Sequence, residues 1–100
     1  MTAFARAVDA GYRYVETDVH ATADGALVAF HDRTLDRVTD RSGRIGALPL
    51  REVRAARIAG TERVPLFDEL LETWPDLRIN IDVKADAAVG PLAAALARHR

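Results

Sequence analysis

Two stretches of the chain alternate strictly between apolar and polar positions. In residues 12–20, Val15, Thr17 and Val19 fall on one side, and Tyr14, Glu16, Asp18 and His20 fall on the other. A period of two with aromatic and β-branched content predicts a strand. Residues 77–84 repeat the pattern, with Leu77, Ile79, Ile81 and Val83 facing one way and Arg78, Asn80, Asp82 and Lys84 the other. Helical periods lie around these strands. Phe4, Ala7 and Val8 predict a short helix over 2–10, stopped by Gly11. Leu66, Leu70 and Trp74, with Phe67 and Leu71 beside them, predict a stronger helix opened by Pro65 and ended by Pro75. A further short helix is expected over 49–56 and a last one over 91–98. Asp24-Gly25 marks a turn before a short strand at 26–30, which runs into His31-Asp32. The polar stretch 33–48, broken by Gly43 and Gly46, reads as a surface excursion.

Strands separated by helical stretches indicate parallel α/β units. Strands of a parallel sheet are normally apolar on both faces, because helices cover both. Here the two alternating strands depart from that rule in the same way, with ionisable positions gathered toward their C-terminal ends. A barrel of parallel strands with an active site at its C-terminal rim reconciles the two facts. The expected fold is therefore α/β, a partial TIM (β/α)8 barrel of early βα units with a hairpin insertion.

Composition narrows the function classes. Apolar residues make up 49% and charged residues 29%, as in an ordered globular chain, and 14 Lys+Arg against 15 Asp+Glu leave a net charge of -1. That balance argues against a nucleic-acid partner or an anionic membrane surface. The absence of cysteine excludes disulfides, thiolate metal sites and a Cys nucleophile. The longest uncharged apolar stretch, 87–97, is too short for a membrane span, and the N-terminus does not read as a secretory signal, so a cytoplasmic location is expected.

Glu16 and Asp18 lie two positions apart on one strand, so their side chains share a side about 7 Å apart. Carboxylates held that close repel, and a hard divalent cation with oxygen ligands is one relief. Asp82 offers a third oxygen ligand, with Lys84 beside it as a fixed positive charge. A metal flanked by lysine suits a phosphate-bearing substrate, and the imidazole of His31 exchanges protons at cellular pH. Plainer readings stand beside these. Glu16 and Asp18 also describe the solvated face of an edge strand, Asp82 and Lys84 a solvated pair, and His31-Asp32 turn punctuation. His20 reads as a polar rim residue, Trp74 as core, and 98–100 as a solvated end.

The combined string resembles the glycerophosphodiester phosphodiesterase family. The residues that carry the resemblance are Glu16-Thr17-Asp18-Val19, Thr22-Ala23-Asp24-Gly25, Val28-Ala29-Phe30-His31-Asp32, Thr34-Leu35-Asp36-Arg37-Val38-Thr39 with Gly43, Val64 to Leu71, and Ile79-Asn80-Ile81-Asp82-Val83-Lys84. The resemblance implies a TIM-barrel hydrolase that splits glycerophosphodiesters into glycerol 3-phosphate and an alcohol with a divalent metal, Ca or Mg. It implies Glu16, Asp18 and Asp82 as metal ligands, with Asp82 where the family usually carries Glu. Lys84 matches the phosphate-contacting lysine, His31 the second of two catalytic histidines, and Asp32 its supporting neighbour.

Family members begin with a strand carrying H-R-G and a P-E-N-T run, and neither is present here, since the first helix is already under way at Thr2. Residues 1–100 are thus expected to form an incomplete domain of that family, inactive alone and prone to self-association through open barrel edges. Two alternatives remain at this point: a non-catalytic phosphate- or metal-binding partial barrel, and a small self-contained α/β binding domain.

Overall fold

The structure is a computed structural model that describes residues 2–11 and 14–99. Helix α1 (Thr2–Asp9) precedes strand β1 (Tyr14–Ala21); the first two positions of the expected strand, Tyr12 and Arg13, lie outside the described residues. Strand β2 (Leu27–Ala29) folds back on β1. The excursion then leads to α2 (Leu50–Ala55), a small hairpin of β3 (Arg57–Ile58) and β4 (Glu62–Arg63), and α3 (Phe67–Thr73). Strand β5 (Arg78–Val83) and α4 (Val89–Arg98) complete the order.

The main sheet runs β2-β1-β5. β1 and β5 are parallel and in register from Tyr14 opposite Arg78 to Val19 opposite Val83, whereas β2 pairs antiparallel with Val19, His20 and Ala21. Residues paired across a ladder point to the same side, so the alternation seen in each strand becomes a two-sided sheet. On one side Val19, Ala21, Leu27 and Ala29 pack with Phe67, Leu70, Ala88 and Ala95, flanked by Phe4, Trp74, Ile79, Ile81 and Leu92. Helices cover this side. The other side carries Glu16, Asp18, Asn80, Asp82 and Lys84 along β1 and β5.

Over β2 that second side is apolar, because the excursion folds onto it. Val28 and Phe30 join Leu35, Ile45, Val53, Ala56 and Val64 in a second core. The expectation of a surface excursion therefore needs correction. Leu35 and Ile45 are fully buried, and Leu35 N–H donates to the Gly43 carbonyl at 2.9 Å while Ile45 N–H donates to the Arg33 carbonyl at 2.9 Å. Leu35 and Ile45, helped by Val38 and Leu48, anchor a largely polar segment, and their irregular spacing creates no period that patterning detects.

Gly43 sits at φ +120°, and a Cβ there would lie 3.0 Å from Leu48 Cδ1, so both conformation and space favour glycine. The β3–β4 hairpin was not anticipated. Its strands are two residues each, and Ala59 and Gly60 both take positive φ as a tight primed turn demands. Helix α4 starts at Val89, two residues before the expected Pro91; the proline fits because first-turn amides have no helical partner. The last residues are not merely solvated: Arg98 Nη2 and His99 Nε2 reach the two Asp68 oxygens at 2.8 and 3.0 Å and tie α4 to α3.

Leu35→Ala is expected to destabilise the fold by about 2–5 kcal/mol, since the side chain is fully buried in the second core. Chemical denaturation measures this; a change within about 0.5 kcal/mol would return the excursion to the surface.

Candidate active site

The polar side of the sheet gathers its charges where β1 and β5 end. Asp18 and Asp82 are direct partners in the parallel ladder, so their carboxylates stand side by side. Lys84, two positions beyond Asp82 and on the same side, answers both: Nζ lies 2.8 Å from Asp82 Oδ2 and 3.5 Å from Asp18 Oδ1. The Lys84 hydrogen bond holds the Asp82 carboxyl below the usual carboxylate range, and Asp82 in turn raises the Lys84 ammonium. Glu16 shares the side but pairs with Asn80, a step toward the strand start, and is exposed. Among the described residues no three His, Asp or Glu side chains are gathered as a ready-made metal cage. Asp18 and Asp82 close instead on the lysine.

His31 enters from the hairpin. Phe30 N–H donates to the Asp18 carbonyl at 2.9 Å, which fixes the end of β2 against β1 and brings His31 Nε2 to 3.9 Å from Asp18 Oδ2. Glu16, Asp18 and His31 then line one cavity of about 300 Å³ together with Phe30 and Pro65. His20, expected at the polar rim, is buried, and its Nε2 lies 3.2 Å from the His31 carbonyl. A carbonyl only accepts, so Nε2–H is the donor and His20 positions the backbone of His31.

The orientation of the His31 ring comes from a chain of contacts that sequence reasoning left incomplete. His31 Nδ1 is 2.8 Å from Asp32 Oδ1. Arg37 grips the same carboxylate in a fork, Nε to Oδ2 at 2.7 Å and Nη2 to Oδ1 at 3.0 Å. The guanidinium first, and the imidazole second, hold Asp32 well below the ordinary carboxylate range. An ionised carboxylate has no proton to give, so Nδ1 carries a hydrogen, and in the neutral ring Nε2 is the nitrogen left with the lone pair. In the sequence Arg37 belongs to a motif without a role of its own, and the structure supplies one. The only local signal was an arginine five positions after Asp32.

Other motif residues hold the scaffold. Thr22 Oγ1 donates to Asp24 Oδ1 and accepts from Ala26 N–H at 3.0 Å, closing the hairpin turn. Asp24 Oδ1 also accepts from Leu50 N–H at 2.9 Å, satisfying an amide at the start of α2. Asp36 Oδ1 accepts from Gly43 N–H at 3.1 Å and Thr39 Oγ1 donates to the Leu35 carbonyl at 2.7 Å, which closes the excursion. Glu69 Oε1 takes Leu66 N–H and Arg54 Nη1, each at 2.8 Å, to start α3.

Carbon-detected NMR titration of Asp32 is expected to give an inflection well below ~3.9, and Arg37→Ala to return it toward that ordinary value. Because the folded-state value is depressed, the stability it confers is complete above the unfolded value and lost as pH falls through the folded one. The stability gap between the parent and Arg37→Ala should therefore close in acid. Nitrogen shifts of neutral His31 should report the proton on Nδ1, and an Nε2–H tautomer would contradict the Asp32 contact.

Known proteins match this arrangement. The family model described as "Glycerophosphoryl diester phosphodiesterase family" matches residues 1–100. A Mycobacterium tuberculosis protein named "Probable glycerophosphodiester phosphodiesterase 2" is 44% identical over 91 residues, covering 91% of this chain and 34% of its own length. The crystal structure of a glycerophosphodiester phosphodiesterase from Agrobacterium tumefaciens superposes with a TM-score of 0.87 at 30% identity, over 98% of this chain and 45% of that one. An Oleispira antarctica phosphodiesterase, solved with the product sn-glycerol-3-phosphate, superposes with a TM-score of 0.83 at 28% identity, over 98% and 44% respectively. The chain thus spans between a third and a half of the length of these relatives, and its β1–β5 pair with the covering helices represents early βα units of a (β/α)8 barrel. With the family model matching along its whole length, the chain belongs to the glycerophosphoryl diester phosphodiesterase family.

Proposed function

We propose that this chain is part of a hydrolase domain that cleaves glycerophosphodiesters to glycerol 3-phosphate and an alcohol. The observation that carries the reading is the junction of three groups at one rim: paired carboxylates Asp18 and Asp82, the Lys84 ammonium between them, and His31 Nε2 3.9 Å from Asp18. Lys84 holds a phosphate oxygen of the substrate. His31, set by Asp32 and Arg37, moves a proton at Nε2, either from the attacking nucleophile or to the leaving alkoxide.

The donor set fits a hard divalent cation, Ca or Mg, since Glu16, Asp18 and Asp82 offer only carboxylate oxygens and two of them already share one positive charge. When bound, such a cation supplies further neutralisation of the phosphate charge in the transition state. Glu16, Asp18 and Asp82 are the residues that would hold it.

The 100-residue chain alone is proposed to bind without turning over. Acid–base cleavage needs a second proton-transfer group, and the two remaining histidines are committed: His20 to the His31 carbonyl and His99 to Asp68. No helix among the described residues is long and apolar enough to cross a membrane.

In a protein carrying the whole family domain, His31→Ala should lower kcat for release of glycerol 3-phosphate by about 10²–10⁴-fold at an unchanged melting temperature. Undiminished kcat would remove His31 from the chemistry. For the chain alone, calorimetric titration with Ca or Mg should weaken at least tenfold in the double variant Glu16→Gln/Asp82→Asn, and an identical isotherm would reject the ligand assignment. Hydrolysis by the chain alone, abolished by His31→Ala, would contradict the expectation of binding without turnover.

A further inference from the structure

Beyond the ends of β1 and β5 a cavity of about 520 Å³ opens between the excursion and residues 84–87. Arg33 and Arg44 line it from the excursion, Lys84 from the end of β5, and the buried His20 from β1; Asp86 is the one carboxylate on its wall. The two arginines come from neighbouring arms of backbone. Thr34 and Arg44 form an antiparallel bridge, and Ile45 N–H donates to the Arg33 carbonyl at 2.9 Å. Both arms are anchored by the buried Leu35 and Ile45, so the backbone that carries the two exposed arginines is held by the second core.

Arg37, Arg41, Arg54 and Arg98 each face a carboxylate. Arg33 and Arg44 do not: among the described residues neither guanidinium has an ion-pair or hydrogen-bond partner. Two guanidinium groups without partners at the wall of one cavity leave their planar donor forks open, and an anion there satisfies them. The cavity has the size of a small-molecule site. Lys84 belongs both to this wall and to the carboxylate pair of the active site. A phosphodiester held at Lys84 Nζ therefore stands beside this cavity, which has room for one ester arm.

We infer that the cavity between the excursion and residues 84–87 is a second anion subsite, which takes a carboxylate or phosphate carried on the alcohol arm of the substrate, with Arg33 and Arg44 as specificity-determining residues. The inference rests on the proposed reading of Lys84 as the phosphate contact. It assigns to this protein phosphodiesters whose alcohol arm carries an anionic group, in preference to those whose arm carries none.

Glycerophosphoserine and glycerophosphoethanolamine differ by a single carboxylate on the alcohol and serve as probes. In calorimetric titration of the whole chain, the serine ester is expected to bind at least tenfold more tightly, the scale of a charge-assisted hydrogen bond. Arg33→Ala/Arg44→Ala should erase that preference and leave the ethanolamine ester unchanged. Arg33→Glu/Arg44→Glu should reverse it, a result that only a folded protein can give.

Equal affinity of the two esters for the parent chain, or a serine preference that survives both double variants, would overturn the subsite. Lys84→Ala should weaken both esters alike. If both affinities are untouched by Lys84→Ala while the arginine-dependent preference persists, the Lys84 reading fails and the subsite stands. Binding of neither ester overturns both.

Discussion

Asp18 and Asp82 stand at the same level of a parallel ladder, where neighbouring strands are about 4.8 Å apart. Two carboxylates at that spacing repel, and the pairing holds because Lys84, two residues further along the same strand, places an ammonium within reach of both. The register creates the need for this neutralisation. A slip of one residue would turn Asp82 and Lys84 into the helix-covered core and lift Ile81 and Val83 to the rim, so apolar burial and charge pairing select the same alignment. Every other part of the site is placed relative to that pair.

Strand β2 is short, yet it joins the two halves of the molecule. Leu27 and Ala29 face the helix-covered core, while Val28 and Phe30 face the core under the excursion. Burial on both sides leaves little freedom at its end, and His31 is the next residue. Phe30 N–H on the Asp18 carbonyl and His20 Nε2–H on the His31 carbonyl hold that end from β1. The imidazole itself is largely exposed, at 74%. Its aim therefore depends on Asp32 and Arg37 rather than on packing, and a charge-assisted fork suits that task better than a neutral contact would.

Many of the residues that make the chain recognisable serve this positioning. Thr22 and Asp24 close a turn and anchor α2, and Leu35, Asp36, Thr39 and Gly43 close the excursion. The excursion in turn brings Arg37 to Asp32 and holds Arg33 and Arg44 over the rim. Family motifs of this kind are best read as a folding unit that delivers a few side chains to one place.

The sequence by itself determined the type of each long element and the side of the sheet on which Glu16, Asp18, Asp82 and Lys84 appear, because a period of two is a local property of extended backbone. Tertiary structure alone decided the rest. Whether Asp82 meets Asp18 or Glu16 depends on register between strands some sixty residues apart. The burial of the excursion hangs on a few irregularly spaced apolar side chains, Leu35 and Ile45 foremost, and a few backbone bonds, which leave no periodic trace. The gathering of Arg33, Arg44 and Lys84 around one cavity likewise arises only when distant segments fold onto a common rim. Local backbone geometry fixes which way a side chain points; only long-range packing fixes what it points at.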